Sequence, residues 1–185
     1  MPEIGRPQPT EYAPYFERYI SLVPGGDVLA VLESQPAEVR RALGSLPESR
    51  AGYRYAEGKW SLREVLGHVI DTERVFGYRA LSVARGDATP LPGFDEKVYG
   101  RNSPHDAFPL AELLDEFEAV RQGHLLFFHH LRPEDWRRIG VANNLPVSPR
   151  ALAFKMAGHV THHLNGLRDN YGVVISTSSP TTSRT

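Results

Sequence analysis

The chain contains no cysteine. Its 185 residues therefore offer no disulfide, no thiolate metal ligand and no thiol nucleophile. A surplus of one charge is lacking as well. Lys and Arg number 21 against 22 Asp and Glu, so no broad basic field exists to recruit nucleic acid or an anionic membrane surface. Long apolar runs are missing, and none approaches the roughly 20 residues of a membrane helix. The opening "MPEIGRPQPTEYAP" has no basic segment leading into an apolar one, which excludes the pattern of a signal peptide. A cytoplasmic protein with neither nucleic-acid nor membrane partners is the expectation. No GxSxG elbow, P-loop or GxGxxG occurs, and "HVTHH" lacks the Glu that would make the metalloprotease pattern HExxH.

What remains is an ordinary globular composition, 41% hydrophobic and 23% charged, in a length suited to one domain. Residues 1–9 are proline-rich and read as a surface-hugging or frayed lead, with a short helix from Pro14 to Leu22 that "VPGGD" ends. Asp27 caps a helix whose apolar residues recur as Val28, Leu32, Val39, Leu43 and Leu46. "SLRE" at 61–64 is a capping box, and the helix it opens should stop near Gly86. A third helix spans about Pro109 to Leu131. The fourth begins after Ser148 and Pro149 and runs to Tyr171, with Gly172 beyond its end. Strand signals are nearly absent; only "YRYAE" offers a short extended piece. Four helical stripes predict an all-α, antiparallel four-helix bundle. The predicted organisation is an N-terminal extension (1–26), a bundle domain (27–172) and a flexible tail (173–185).

Eight histidines stand out in this background. On the fourth helix the inward stripe reads Leu152, Met156, His159, Val160, His163, Leu164, Leu167 and Tyr171. His159 and His163 are one turn apart on one face, so both imidazoles can converge on one point. His162 falls on another face. His68, at the edge of the stripe formed by Leu62, Val65, Leu66, Val69 and Phe76, is the leading third ligand from a facing helix. Burying three imidazoles among aliphatic side chains is costly unless each nitrogen finds a partner, and a shared divalent metal satisfies all three. Neutral core histidines satisfied by hydrogen bonds are the plain alternative. Asp71 is the candidate for a base or for an acceptor that orients a ligand, with Thr72 at the next helical contact. His124 reads as a core or pocket-edge residue, and His105, His129 and His130 as loop and surface residues. Trp60 reads as a packing plug. The segment 87–107 reads as a long ordered loop whose "LPGFDEKVYGRN" either lines the open face of the metal or is purely structural.

The blocks "KWSLREVLGHVIDTERVFGYRALSVARGD", "LPGFDEKVYGRN" and "LAFKMAGHVTHHLNGLRDNYG", in this order and spacing, resemble the DinB/YfiT-like superfamily over about residues 27–172. The resemblance implies a four-helix bundle, often a homodimer, with a divalent metal held by His68, His159 and His163. It also implies an activity among transferases that use a low-molecular-weight thiol such as bacillithiol or mycothiol, or thiol-dependent isomerases. A thiol arriving as cosubstrate fits a chain without cysteine. The expectation is a nickel- or zinc-dependent transferase joining a small thiol to a small electrophile. A metal-dependent hydrolase and a non-catalytic metal-binding stress-response protein are the alternatives.

Overall fold

Each long helix starts where the sequence supplies a cap. The computed structural model describes residues 4–175. A 3-10 turn at Pro14–Phe16 leads into α1 (Glu17–Ile20). Asp27 accepts from Leu29 N at 2.9 Å to open α2 (Val28–Leu43), followed by the short α3 (Glu48–Ala51). Ser61 and Glu64 form the reciprocal capping box of α4 (Leu62–Ala84). Asp95 caps α5 (Glu96–Asn102), and α6 (Leu110–His129) and α7 (Pro133–Trp136) follow. A hairpin of β1 (Gly140–Ala142) and β2 (Leu145–Val147) precedes α8 (Pro149–Tyr171), which Ser148 caps and the left-handed Gly172 ends.

The long helices α2, α4, α6 and α8 form the four-helix bundle that the stripes predict, with a more particular arrangement than a uniformly antiparallel one. Tyr171 Oη, at the end of α8, donates to the carbonyl of Trp60 before α4, so these two helices are antiparallel. Arg40 meets Asp115 and Glu118 while Glu33 meets His129, so α2 and α6 are antiparallel too. However, Arg74 pairs with Glu116 whereas His124 packs on Gly77, which makes α4 and α6 parallel neighbours. The pair α2 and α8 is likewise parallel: Gln35 reaches Ala157, and Val39 and Leu43 join Val160 and Leu164. A connection between parallel neighbours must travel back along the bundle. This explains the long segment between α4 and α6, which is not a loop throughout but contains α5 and a 3-10 turn at His105–Ala107.

The core divides into two apolar clusters, one around Leu32, Phe76, Phe128 and Leu152, the other around Leu43, Ile70, Phe117 and Leu164. Between them every long helix contributes a polar residue: Gln35, Glu73, Arg121 and His159. Arg121 donates to both oxygens of Glu73, to the carbonyl of Leu32 and to Gln35 Oε1, while Gln35 Nε2 donates to the Ala157 carbonyl. One buried network thus ties all four helices at mid-height.

The N-terminal extension is part of the core, with Tyr12, Ile20 and Val23 buried and Glu11 bonded to Ser148 and Arg150. Gly158 lets α1 approach the α8 backbone, since a Cβ there would collide with the Tyr19 carbonyl. Val173, assigned above to a flexible tail, is buried, and its N–H bonds to Leu167 O; residues 176–185 lie outside the described residues. Leu46 falls beyond α2 but packs against the second cluster. No strand forms at "YRYAE" among the described residues; the one hairpin turns instead on Asn143 and Asn144, at φ 54 and 60. That is the double left-handed backbone of a tight type I′ turn, which asparagine tolerates.

Candidate metal centre

The antiparallel packing of α4 on α8 brings His68 opposite His159 and His163. Nε2 of His159 lies 3.1 Å from Nε2 of His68 and 3.0 Å from Nε2 of His163. One ring nitrogen of each lies within 4.8 Å of the other two. Hydrogen bonding alone satisfies this triangle poorly, because a ring nitrogen has one in-plane direction and is either donor or acceptor. A cation fits it. Two ligands at about 2.1 Å from a common ion stand roughly 3.0 Å apart at a right angle and roughly 3.4 Å at a tetrahedral one. Burial lowers the pKa of all three, with His68 pushed down to about 4, so each ring is neutral and keeps a lone pair for coordination.

Aromatic rings hold the imidazoles. The Trp60 ring lies 4.8 Å from that of His68, and Tyr19 meets His159 edge-on at 5.5 Å. Trp60 is therefore more than a plug. It sits between His68 and Gly100 of α5, where a Cβ would press on the indole.

Two cavities flank the cluster. One, of about 490 Å³, reaches His159 past Thr72, Phe76 and Lys155; the other, of about 650 Å³, reaches His163 past Trp60 and Tyr171. Glu96 and Lys97 of α5 line both, so the segment "LPGFDEKVYGRN" borders the site. Thr72 Oγ1 is buried without a hydrogen-bond partner among the described residues.

Asp71 is not brought to either cavity. Its carboxylate is half-buried on another flank of α4, 3.9 Å from Arg74, and burial raises its pKa despite the nearby charges of His105 and Arg74. His162 is exposed as expected, and so is His130, while His129 bonds Glu33. His124 reads correctly as a core-edge residue, 3.4 Å from Glu73 and seated on Gly77. His105 does not fit the surface role expected of it. It is buried, bonded to Ser103 and packed against Gly67, where a Cβ would overlap its ring. Three residues near the site escaped the sequence reading: Tyr19, Arg79 and Lys155. Only the docking of the N-terminal segment makes the first a neighbour of His159, and only burial distinguishes the two cations from residues on a solvated face.

Comparison with known proteins agrees with this architecture. A protein of Oceanobacillus iheyensis, named a candidate metal-dependent hydrolase, is 24% identical over 138 residues, covering 74% of this chain and 79% of its own. YfiT from Bacillus subtilis, described as a candidate metal-dependent hydrolase with an unusual four-helix bundle topology, superposes with a TM-score of 0.70 at 16% identity. That match covers 90% of this chain and 93% of YfiT. The mycothiol-dependent maleylpyruvate isomerase gives a TM-score of 0.62 at 15% identity, over 80% of this chain and 61% of that one. The model of the DinB superfamily matches residues 32–166, which takes in all three clustered histidines, and the chain belongs to that superfamily.

Proposed function

We propose that the chain is a divalent-metal-dependent enzyme that joins a low-molecular-weight thiol to a small electrophile. The observation that carries this reading is the convergence of three neutral imidazoles on one point between two open cavities. His68, His159 and His163 would hold the ion, with nickel or zinc the best match to three imidazoles. A divalent ion held there would supply Lewis acidity and lower the pKa of a donor bound to it.

The protein's own contribution is to keep the rings unprotonated by burial and to fix their planes between Trp60 and Tyr19. Among the described residues no carboxylate joins the cluster, so the shell is neutral and favours an anionic donor over a neutral one. With no cysteine in the chain, the thiol must come from outside. The two cavities offer separate approaches for thiol and electrophile. A homodimer belongs to the same reading, supported by exposed Tyr78 and Leu81 on α4 and Leu126 on the neighbouring α6.

Hydrolysis is the second reading. Glu96 favours it, because its position on both cavities would let a carboxylate accept a proton from attacking water. The names of the two hydrolase-like relatives point the same way.

The test is an assay of untagged, metal-analysed protein against a panel of small thiols with soft electrophiles, and against esters and amides without thiol. The reading expects metal-dependent conjugation that His163→Ala abolishes while circular dichroism stays helical. Hydrolysis without thiol would transfer the proposal to the second reading. Full activity in His163→Ala would sink both.

A further inference from the structure

Arg79 and Lys155 are buried to 6% and 3% exposure, yet neither has a carboxylate within 4 Å among the described residues. Other arginines shielded from solvent behave differently: the buried Arg121 is paired with Glu73, and the partly buried Arg150 with Glu11. Arg79 spends one donor on the Pro92 carbonyl at 2.7 Å, and its guanidinium stands 5.6 Å from the Phe94 ring centre. Among the described residues the Lys155 Nζ has no hydrogen-bond partner. It rests 3.4 Å from the ring centre of Phe16 and 4.8 Å from that of Phe76. Both cations line the 490 Å³ cavity that ends at His159.

Two like charges taken out of water without a counter-charge are costly, and apolar side chains of similar size would fill the space better. Burial first, and then the charge of Arg79, pushes the Lys155 ammonium down to about 7. An anion in the cavity removes both penalties. The acidic residues on the same cavity, Asp95 and Glu96, do not serve. Both are exposed, Asp95 is occupied with capping α5, and Lys97 stands beside them.

The arrangement is graded along the cavity. Lys155 is one helical turn from His159 on α8, and on α4 the residues His68, Thr72, Phe76 and Arg79 follow at helical spacing. The histidine cluster closes one end, the unpartnered Thr72 Oγ1 comes next, and the cations lie beyond. Phe16, Phe76, Phe94 and Leu145 provide apolar wall for a carbon skeleton. A guanidinium fork with free donors matches the two oxygens of a carboxylate.

We propose that this cavity binds a small organic carboxylate, gripped by Arg79 and Lys155, with its carbon skeleton directed past Thr72 toward the histidine cluster. Calling that ligand the electrophilic substrate rests on the metal-enzyme reading above; its binding does not.

The experiment is calorimetric titration of the chelator-treated protein with acetate, succinate and phenylacetate, each against its neutral amide, and with inorganic phosphate. At least one carboxylate is expected to bind tenfold or more tightly than its amide. Lys155→Met and Arg79→Gln should each weaken it at least fivefold, with helical content unchanged. Arg79→Lys, which keeps the charge and loses the fork, should fall between and serves if Arg79→Gln does not fold. Equal affinity for acids and amides, or no binding of any probe, overturns the proposal. Tighter binding of phosphate than of every carboxylate overturns the assigned class. Carboxylate binding seen only in nickel-loaded protein and indifferent to both substitutions also overturns it, because the carboxylate would then be a metal ligand. Since the chelated arm contains no metal, failure of the transferase reading leaves its outcome intact.

Discussion

Arg121 holds both carboxylate oxygens of Glu73, at 2.6 and 3.0 Å, with neither side chain more than 2% exposed. Removing one partner strands the other charge in the core. Glu73→Ala should therefore destabilise the fold by about 3–5 kcal/mol. Urea unfolding followed by circular dichroism measures this, and a loss below about 1 kcal/mol would mean that the network does not hold the bundle.

The same pair gives an acid transition. Burial pushes the Glu73 carboxyl up, but the charge of Arg121 and the bond to His124 outweigh it and bring it down to about 2. The unfolded chain takes up that proton first, near 4.5. The contribution is therefore present above about 4.5 and is lost as pH falls toward 2, up to about 3 kcal/mol. Unfolding midpoints between pH 5 and 2 should decline less steeply in Glu73→Gln than in the parent. Identical slopes would count against the assignment.

Metal should stabilise the folded chain, since the three imidazoles come together only when α4 packs on α8. Nickel or zinc at a hundredfold its Kd should add about 2.7 kcal/mol, or roughly 5–10 °C in Tm for a chain of this size. A chelator should reverse the shift, and His159→Ala should show none. An unchanged Tm in the parent at saturating metal contradicts the site.

Gly158→Ala places a methyl group against the Tyr19 carbonyl. Displacing α1 should cost about 1–3 kcal/mol. Because the Tyr19 ring abuts His159, metal affinity should fall as well. Stability and affinity unchanged together would show that the N-terminal segment yields freely.

Asp71→Asn is the test of Asp71 as a base. Its carboxylate faces Arg74 and lines neither cavity, so activity and metal affinity should both stay within about threefold of the parent. A hundredfold fall in rate at constant metal affinity would support the catalytic role that its position one turn along the helix from His68 suggests.

The sequence carries much of this architecture in local signals. Ser61 with Glu64, and Ser148 with Pro149, locate two helix starts because a cap acts on its own next turn. His159 and His163 are legible as a pair because helical spacing alone sets their geometry. What a stripe does not encode is which neighbour it faces, so the parallel packing of α4 with α6 becomes visible only in pairs such as Arg74 with Glu116. The hairpin at Asn143 and Asn144 has strands of three residues, too short to show alternation. Nothing in the sequence marks Lys155 and Arg79 as buried, and His105 reads as a loop residue. Burial of Lys155 and His105 depends on segments distant in sequence: the N-terminal turn carrying Phe16 over Lys155, and α4 beneath His105 at Gly67.

The segment over the site is fastened at both ends. Leu91 bonds the hairpin through Val141 O and Asn143 N, each at 2.9 Å, and His105 is seated on Gly67. Between these anchors α5 is pressed on Trp60 and presents Glu96 and Lys97 to both cavities. The conformational entropy of this stretch is thus surrendered during folding and not when a ligand arrives. A ligand entering either cavity meets walls already in place, and its affinity reports the contacts it makes with little deduction for ordering the protein.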